Sequence, residues 1–291
     1  MHLPVSRIAA VSVLLVAGSC TPIRPGPIKT PLLQPRMSPD SVVLDMFFVR
    51  FPFGDEEANG PLWDEIDELH FPSDLRRELS RRGFRVGVIG AQIPATLARL
   101  LDLTEKPPPT KQVPETSLED LDEAPTVTRR HKQLRAGKPC EIQVSEVYEE
   151  LPVVTSSGGQ ICGRSYQGAQ AILVIKAFPE PANRVRLEIS PQIQYGQPKP
   201  QYVGANGTLR LEVARACHVF NELVMSAGLA PGEMVVLGST GCRPGSLGHY
   251  FFNQETAGRQ DQKLLIVRLS QVQHDDLFDP QSVLPLETLE E

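Results

Sequence analysis

The sequence predicts a mostly β, α+β fold: antiparallel strands with a few short helices. Three observations carry that reading. From Asn183 to Tyr195, Val185, Leu187, Ile189, Ile193 and Tyr195 fall on one face and Arg184, Arg186, Glu188, Gln192 and Gln194 on the other, the period of two of a half-buried strand. Beyond it, the apolar segments TLRLEV, NELVMSAGL, GEMVVLGST and KLLIVRLSQV follow one another between Gly- and Asn-containing turns, closing near Val272. The 27 prolines of the 291 residues gather in tethers and turns, which suits strands on flexible connections better than a helical bundle. Lys+Arg at 29 against Asp+Glu at 35 leaves a net charge of −6, which gives no reason to expect a nucleic-acid partner.

Taken in order, residues 1–20 carry Arg7 before an apolar run, Ile8 to Val16, too short to span a bilayer, followed by Ala17, Gly18, Ser19 and Cys20. This is the architecture of an export signal. Residues 21–40 hold Pro22, Pro25, Pro27, Pro31, Pro35 and Pro39 and read as an extended tether, able to reach roughly 60 Å in polyproline geometry.

The β-rich domain is expected over 41–272. Ser41 to Phe53 is a near-continuous apolar run stopped by Pro52 and Gly54, the pattern of a strand buried on both faces. Asp45 interrupts it, and the expected explanation is pairing with an arginine or an edge position. The acidic stretch Asp55–Glu68 lacks the residue order of a calcium loop and reads as a solvated helix face, with Trp63 and Ile66 three apart. Ser73 is placed to cap a helix carrying Leu75 and Leu79 that ends at Gly83. Phe84 opens the strand FRVGVIG, and Pro94 starts a helix with Leu97, Leu100 and Leu101. The arginines Arg76, Arg77, Arg81, Arg82 and Arg85 are expected to pair with the acidic stretch before them, the alternative being a phosphate or lipid-headgroup patch. Residues 104–128, with five prolines, many carboxylates and little to bury, read as a disordered insertion. Cys140–Val147 and Ala169–Phe178 are strands, with Gly158 and Gly159 in the turn between them. Asn206-Gly207-Thr208 fits a glycosylation pattern but reads first as a turn. Residues 273–291 form an acidic tail.

The order of these segments resembles the conserved C-terminal domain of secretins, the ring-forming outer-membrane proteins of type II and type III secretion systems. The resemblance rests on the apolar opening SVVLDMFFV, the helix-and-strand LRRELSRRGFRVGVIGAQIP, the segments GKPCEIQV, LPVV and RVRLEISPQI, and most densely on PGEMVVLGS, RPGSLGHYFF and QKLLIVRLSQV. The end of the leader is similar to a bacterial lipobox, which implies that Cys20 is diacylated, although Ala17 and Ser19 replace the usual Leu and Gly/Ala. The resemblance implies an oligomerising β-domain more securely than it implies a channel. A membrane barrel wants strands of about nine to eleven residues with an outward apolar face, and RVRLEISPQIQ has a charged second face. Secretins usually carry ring-building modules before this domain, where a Pro-rich tether stands here.

Chemistry-bearing patterns are few. Four cysteines follow Cys20, namely Cys140, Cys162, Cys217 and Cys242. None has the two-residue spacing of a zinc site. In an exported protein they permit two disulfides in any of three connectivities, or buried free thiols. GRSYQG around Ser165 misses the nucleophile-elbow spacing, STGCRPGS lacks the lysine of a phosphate-binding loop, and the histidines His70, His131, His218, His249 and His274 show no i, i+4 pair. His249, in a turn, is the best catalytic candidate and reads first as a packing residue. The expectation is therefore a non-enzymatic lipoprotein with no cofactor and no metal, exported to the bacterial cell envelope and held by its lipid, more naturally at the outer membrane. It would be a secretin-like subunit that pairs strands with copies of itself or with other envelope proteins. The alternative is a monomeric periplasmic binding lipoprotein with a groove lined by Phe47, Trp63, Tyr195 and Phe251.

Overall fold

A chain whose strands alternate on some segments and are apolar throughout on others must offer both half-buried and fully buried sheet positions, and the fold supplies both. The computed structural model describes residues 40–101, 127–157, 160–205, 208–241, 243–256 and 258–273, all within the compact unit Met37–Glu291. The leader, Cys20, the tether, most of the insertion, Cys242 and the tail after Gln273 lie outside the described residues. So do Gly158, Gly159, Asn206 and Gly207.

The described residues form two antiparallel sheets. The first is ordered β2 (Phe84–Ile89), β9 (Met234–Ser239), β11 (Arg259–Gln273), β1 (Ser41–Pro52) and β3 (Val127–Arg135), with β10 (Asn253–Thr256) also on β11. The second is ordered β4 (Cys140–Ser157), β5 (Gln160–Glu180), β6 (Arg184–Ala205) and β7 (Thr208–Val219), with β8 (Met225–Leu229) also on β6. The first sheet is buried on both faces over β1, β9 and β11. Val42, Leu44 and Met46 of β1, Val235 and Leu237 of β9, and Leu265, Val267 and Leu269 of β11 point into a core shared with Leu173, Ile175, Val185, Leu187 and Ile189 of the second sheet. The alternate residues Val49, Phe51, Met234, Val236, Leu264 and Ile266 pack with Ala58, Leu62, Trp63 and Leu97 from the helices α1 (Glu56–Asn59), α2 (Pro61–Asp64) and α4 (Ala95–Leu100). Two-sided burial is why β1, β9 and β11 read as continuous apolar runs.

Several boundaries differ from the sequence reading. Helix α3 spans Ser73–Arg81 with Pro72 at its N-cap, so Ser73 is its first residue and makes no side-chain cap. Gly83 follows it with φ +82°. Pro94, with ψ 150°, is the N-cap of α4 rather than its first helical residue. The segment Asn221–Leu223 is a 3-10 turn, and the strand starts only at Met225. Val127 and Thr128, placed in the insertion, belong to β3, whose pairing with β1 also went unforeseen.

The carboxylate inside β1 is neutralised by that same strand. Asp45, 3% exposed, accepts hydrogen bonds from Arg129 Nη2 at 3.0 Å and from His131 Nδ1 at 3.0 Å. Burial pushes its carboxyl up, but the hydrogen bonds and charges of His131 and Arg129 outweigh this and hold it below the ordinary value. With the folded pKa below the unfolded one, this stabilisation is fully present above an ordinary aspartate pKa of about 4 and is lost as pH falls through the folded value. Asp45→Asn is expected to destabilise the domain by about 1 kcal/mol at neutral pH, with exposed partners limiting the effect. Hydrogen exchange of the β3 amides should accelerate in the variant at pH 7, and the difference from wild type should shrink on acidification.

The two borders of the first sheet are closed to further pairing in different ways. Beyond β2, Asp67 and Val88 exchange backbone hydrogen bonds at 2.9 and 3.0 Å. Along β3, Arg129, Arg130 and Lys132 are all exposed, and a row of like charges discourages pairing with a second copy.

Candidate functional site

The second sheet ends differently. Strands β4 and β5 pair from Cys140↔Ile175 out to Ser157↔Gln160, and β6 and β7 pair from Gln192↔Val219 out to Ala205↔Thr208. Between the two hairpins, however, β5 and β6 pair only over Gln170–Glu180 and Arg184–Gln194. Past that row the sheet forks into two arms of about ten residues, roughly 33 Å long at strand rise.

Backbone geometry places the fork. Gly168 on β5 has φ +55° and Gly196 on β6 has φ +74°, values that glycine adopts at little cost. Register shifts interrupt β4 between Gln143 and Val147 and β6 between Tyr195 and Lys199. Bulges of this kind bend a strand and add twist, and these irregular positions fall near the level where β5–β6 pairing ends. Ser145, inside the first bulge, accepts Ala171 N at 2.9 Å, and Lys263 Nζ donates to Val144 O at 2.9 Å. These bonds fix the base of the arms to the core.

The crotch holds aromatic side chains from three strands. Tyr166 meets Tyr195 edge-on at 5.0 Å and His218 at 5.7 Å, and His218 lies 4.6 Å from Phe220. Arg164 covers the Tyr166 ring at 5.0 Å and approaches His218 Nδ1 at 3.2 Å. Burial and then the Arg164 charge lower the His218 pKa, against a smaller opposing pull from Glu222. The neutral ring is therefore the form this packing accepts. Because the folded pKa is depressed, the stabilisation is complete above the unfolded value of about 6.5 and declines as pH falls through the folded one. Amides flanking Tyr166 and Tyr195 are expected to exchange faster at pH 5 than at pH 7, relative to the core, and His218→Gln should remove that excess.

Strand β7 is the free border of one arm. It exposes Leu211 at 61% and Val213 at 69%, with no described strand beyond it. Adjacent exposed apolar residues on an unpaired border are what sheet-forming proteins otherwise avoid. On the opposite border, β4 exposes Val147 and Val154, and Val154 N donates to Gly245 O at 2.9 Å.

The sequence-derived site residues fare unevenly. The register keeps Cys140 away from both Cys162 and Cys217. Cys140 lies opposite Ile175, thirteen residues along β5 from Cys162, or about 43 Å at strand rise. Cys217 lies opposite Gln194, which faces Gln170, five positions from Ile175. These spacings exceed the reach of a disulfide. Cys140 and Cys217 are free thiols, both raised in pKa chiefly by burial, and Cys217 Sγ donates to Gln192 Oε1 at 3.1 Å.

The aromatic groove is also absent from the fold. Phe251 is in the shared core, Trp63 and Phe47 belong to the helix-covered face, and Tyr195 sits at the crotch. Their apolar rings were drawn into separate layers by burial. His249, lowered in pKa by burial, shares a 2.9 Å hydrogen bond between its Nδ1 and Asn253 Nδ2, while Ser165 Oγ donates to Glu150 Oε1 at 2.6 Å. The fold does not bring these two together. Among the described residues no group of three or more His, Cys, Asp or Glu is placed to hold a metal. Of the arginine cluster, Arg85 pairs with Glu68 as expected, but Arg77 pairs with Asp74, and Arg81 and Arg82 with Glu78, inside helix α3. Among the described residues no helix is long and apolar enough to cross a membrane, which leaves strand-based crossing open.

Comparison of the chain with protein-family models and with curated protein sequences finds no match in either.

Proposed function

We propose that the chain is a secretin-like assembly subunit of the bacterial cell envelope, exported and held at the membrane, more naturally the outer one, by a lipid on Cys20. Its copies join by strand pairing along the arms of the second sheet. The observation that supports this reading is the end of β5–β6 pairing at Gln170 and Gln194, which leaves the inner borders beyond that row and the outer border of β7 without a described strand partner. Burial of backbone donors and acceptors against a second copy would satisfy these groups. The contrast with the first sheet favours the same choice, since its borders are capped at β2 and charged at β3. A neighbour adding strands at β7 on one side and offering its opposite border on the other is a heterologous contact, which closes into a ring when the rotation permits. The role is structural, and the partner is another copy of the chain. Negative-stain imaging of the processed protein in mild detergent tests this. Closed multimeric particles of uniform diameter are expected, and a field of single-chain particles at every concentration would remove the proposal.

A further inference from the structure

Strand β3 borders the first sheet with charge. It pairs with β1 from Ser41↔Arg135 to Val49↔Val127, and no described strand lies beyond it. Arg129 and His131 are held by Asp45. Arg130, Lys132 and Arg135 are exposed and, among the described residues, pair with no carboxylate. Arg130 lies over the Phe48 ring at 4.9 Å, a contact that steadies the guanidinium and leaves its charge in place.

This border calls for an acidic segment able to reach it, and the chain after Gln273 is one. Residues 274–291 hold Asp275, Asp276, Asp279, Glu287, Glu290 and Glu291 and no lysine or arginine. Their starting point is close. Ser41 pairs with Gln273 on one side and with Arg135 on the other, so β11 and β3 end level, about 10 Å apart across β1. One more strand spacing leads to the outer side of β3, a path of about 15 Å or roughly five residues. The roughly thirteen residues that remain can cover about 40 Å, against about 30 Å for the length of β3. Both β11 and β3 are antiparallel to β1, so a tail turning at this end runs back antiparallel to β3. Pro280 and Pro285 exclude an unbroken ladder, and charge supplies most of the attraction. The tether, which enters β1 at the same end, carries Arg24, Lys29 and Arg36 against Asp40 alone, the wrong sign for this border.

We propose that residues 274–291 lie along the outer border of β3 in their own chain, running back from Arg135 towards Val127, with carboxylates against Arg130, Lys132 and Arg135. The row of cations that repels another β3 attracts this segment. The contact is made within one chain and does not depend on assembly through the arms of the second sheet.

Fluorescence anisotropy with a labelled peptide of residues 274–291 tests the proposal on two forms of the processed chain, one complete and one ending at Gln273. The shortened form is expected to bind the peptide saturably. The complete form should bind it at least about tenfold more weakly, because its own tail is present at an effective concentration of about millimolar. Raising salt from about 0.05 to about 0.5 M should weaken binding to the shortened form several-fold. Arg130→Glu with Lys132→Glu should weaken it about tenfold or more. Arg77→Glu with Arg81→Glu, the same charge change on α3, should alter it less than about threefold. If the β3 variant loses its cooperative melting transition, a peptide with all six acids replaced by their amides reads the same contact from the other side, and it should bind the shortened form at least about tenfold more weakly. Absence of saturation at millimolar peptide, the result if another segment already occupies the border, would overturn the proposal. So would equal affinity of the complete and shortened forms, or an affinity that neither the β3 charge reversals nor the amide peptide changes.

Discussion

Replacing Gly248 by alanine is expected to destabilise the domain by about 3–5 kcal/mol, enough to unfold a marginally stable chain. Helix α5 (Leu247–Phe252) begins after Ser246, whose hydroxyl accepts His249 N at 3.3 Å, and it runs against the α3–β2 connection. Gly248 N donates to Arg82 O at 2.8 Å, so the two backbones touch. A methyl group on Gly248 would overlap the carbonyl of Gly83 and stand 2.9 Å from Phe84 N. These are main-chain atoms, and no side-chain rotation relieves the overlap. Relief requires moving α5 outward, which withdraws Phe251 and Phe252, both essentially fully buried, from their edge-on contacts with Phe84 at 5.2 and 6.1 Å. Gly163→Ala is the matched control, because nothing lies within 4 Å of the added methyl, and it should stay within about 0.5 kcal/mol of wild type. Urea unfolding of the two variants decides it. A midpoint for Gly248→Ala equal to that of Gly163→Ala would show that α5 is not seated against Gly83.

The second large effect concerns association. The double variant Leu211→Lys, Val213→Lys is expected to abolish assembly while leaving the folded chain as stable as wild type to within about 1 kcal/mol. Both side chains are exposed in the single chain, where surface substitutions change little. On a shared border they would place two ammonium groups against each incoming strand, which is how natural edge strands refuse partners. The comparison separates folding from assembly, since the Gly248 variant should fail at the first and this one only at the second. Assembly that persists in the double variant would move the interface off β7.

How much of this was legible in the chain follows from what each strand touches. β1, β9 and β11 were readable because two-sided burial selects Val, Leu, Ile and Phe at nearly every position. The base of β6 was readable because one face is buried. β3 was not, because only Leu134 among its nine residues is fully buried, and an exposed charged border leaves no alternation to detect. The same physics hid the length of the arms. Over Tyr195–Gln201 the chain carries Gly196, Pro198 and Pro200, residues that normally interrupt a strand. Here they sit where β6 has lost its neighbour β5 and a proline need not donate to a ladder. The fork depends on pairings between segments distant in sequence, so it has no local signature beyond Gly168 and Gly196. The cysteines gave no geometry, and only the register shows that Cys140 lies too far from Cys162 and Cys217 to pair with either.

Native mass determination of the processed chain, from nanomolar to micromolar concentration in mild detergent, bears most directly on the central claim. A discrete multiple of one chain's mass that resists dilution, and that collapses to a single chain in the Leu211→Lys, Val213→Lys variant, is the predicted result. A single-chain mass across the whole range would contradict it and would mean that the arms of the second sheet do not join copies of this protein.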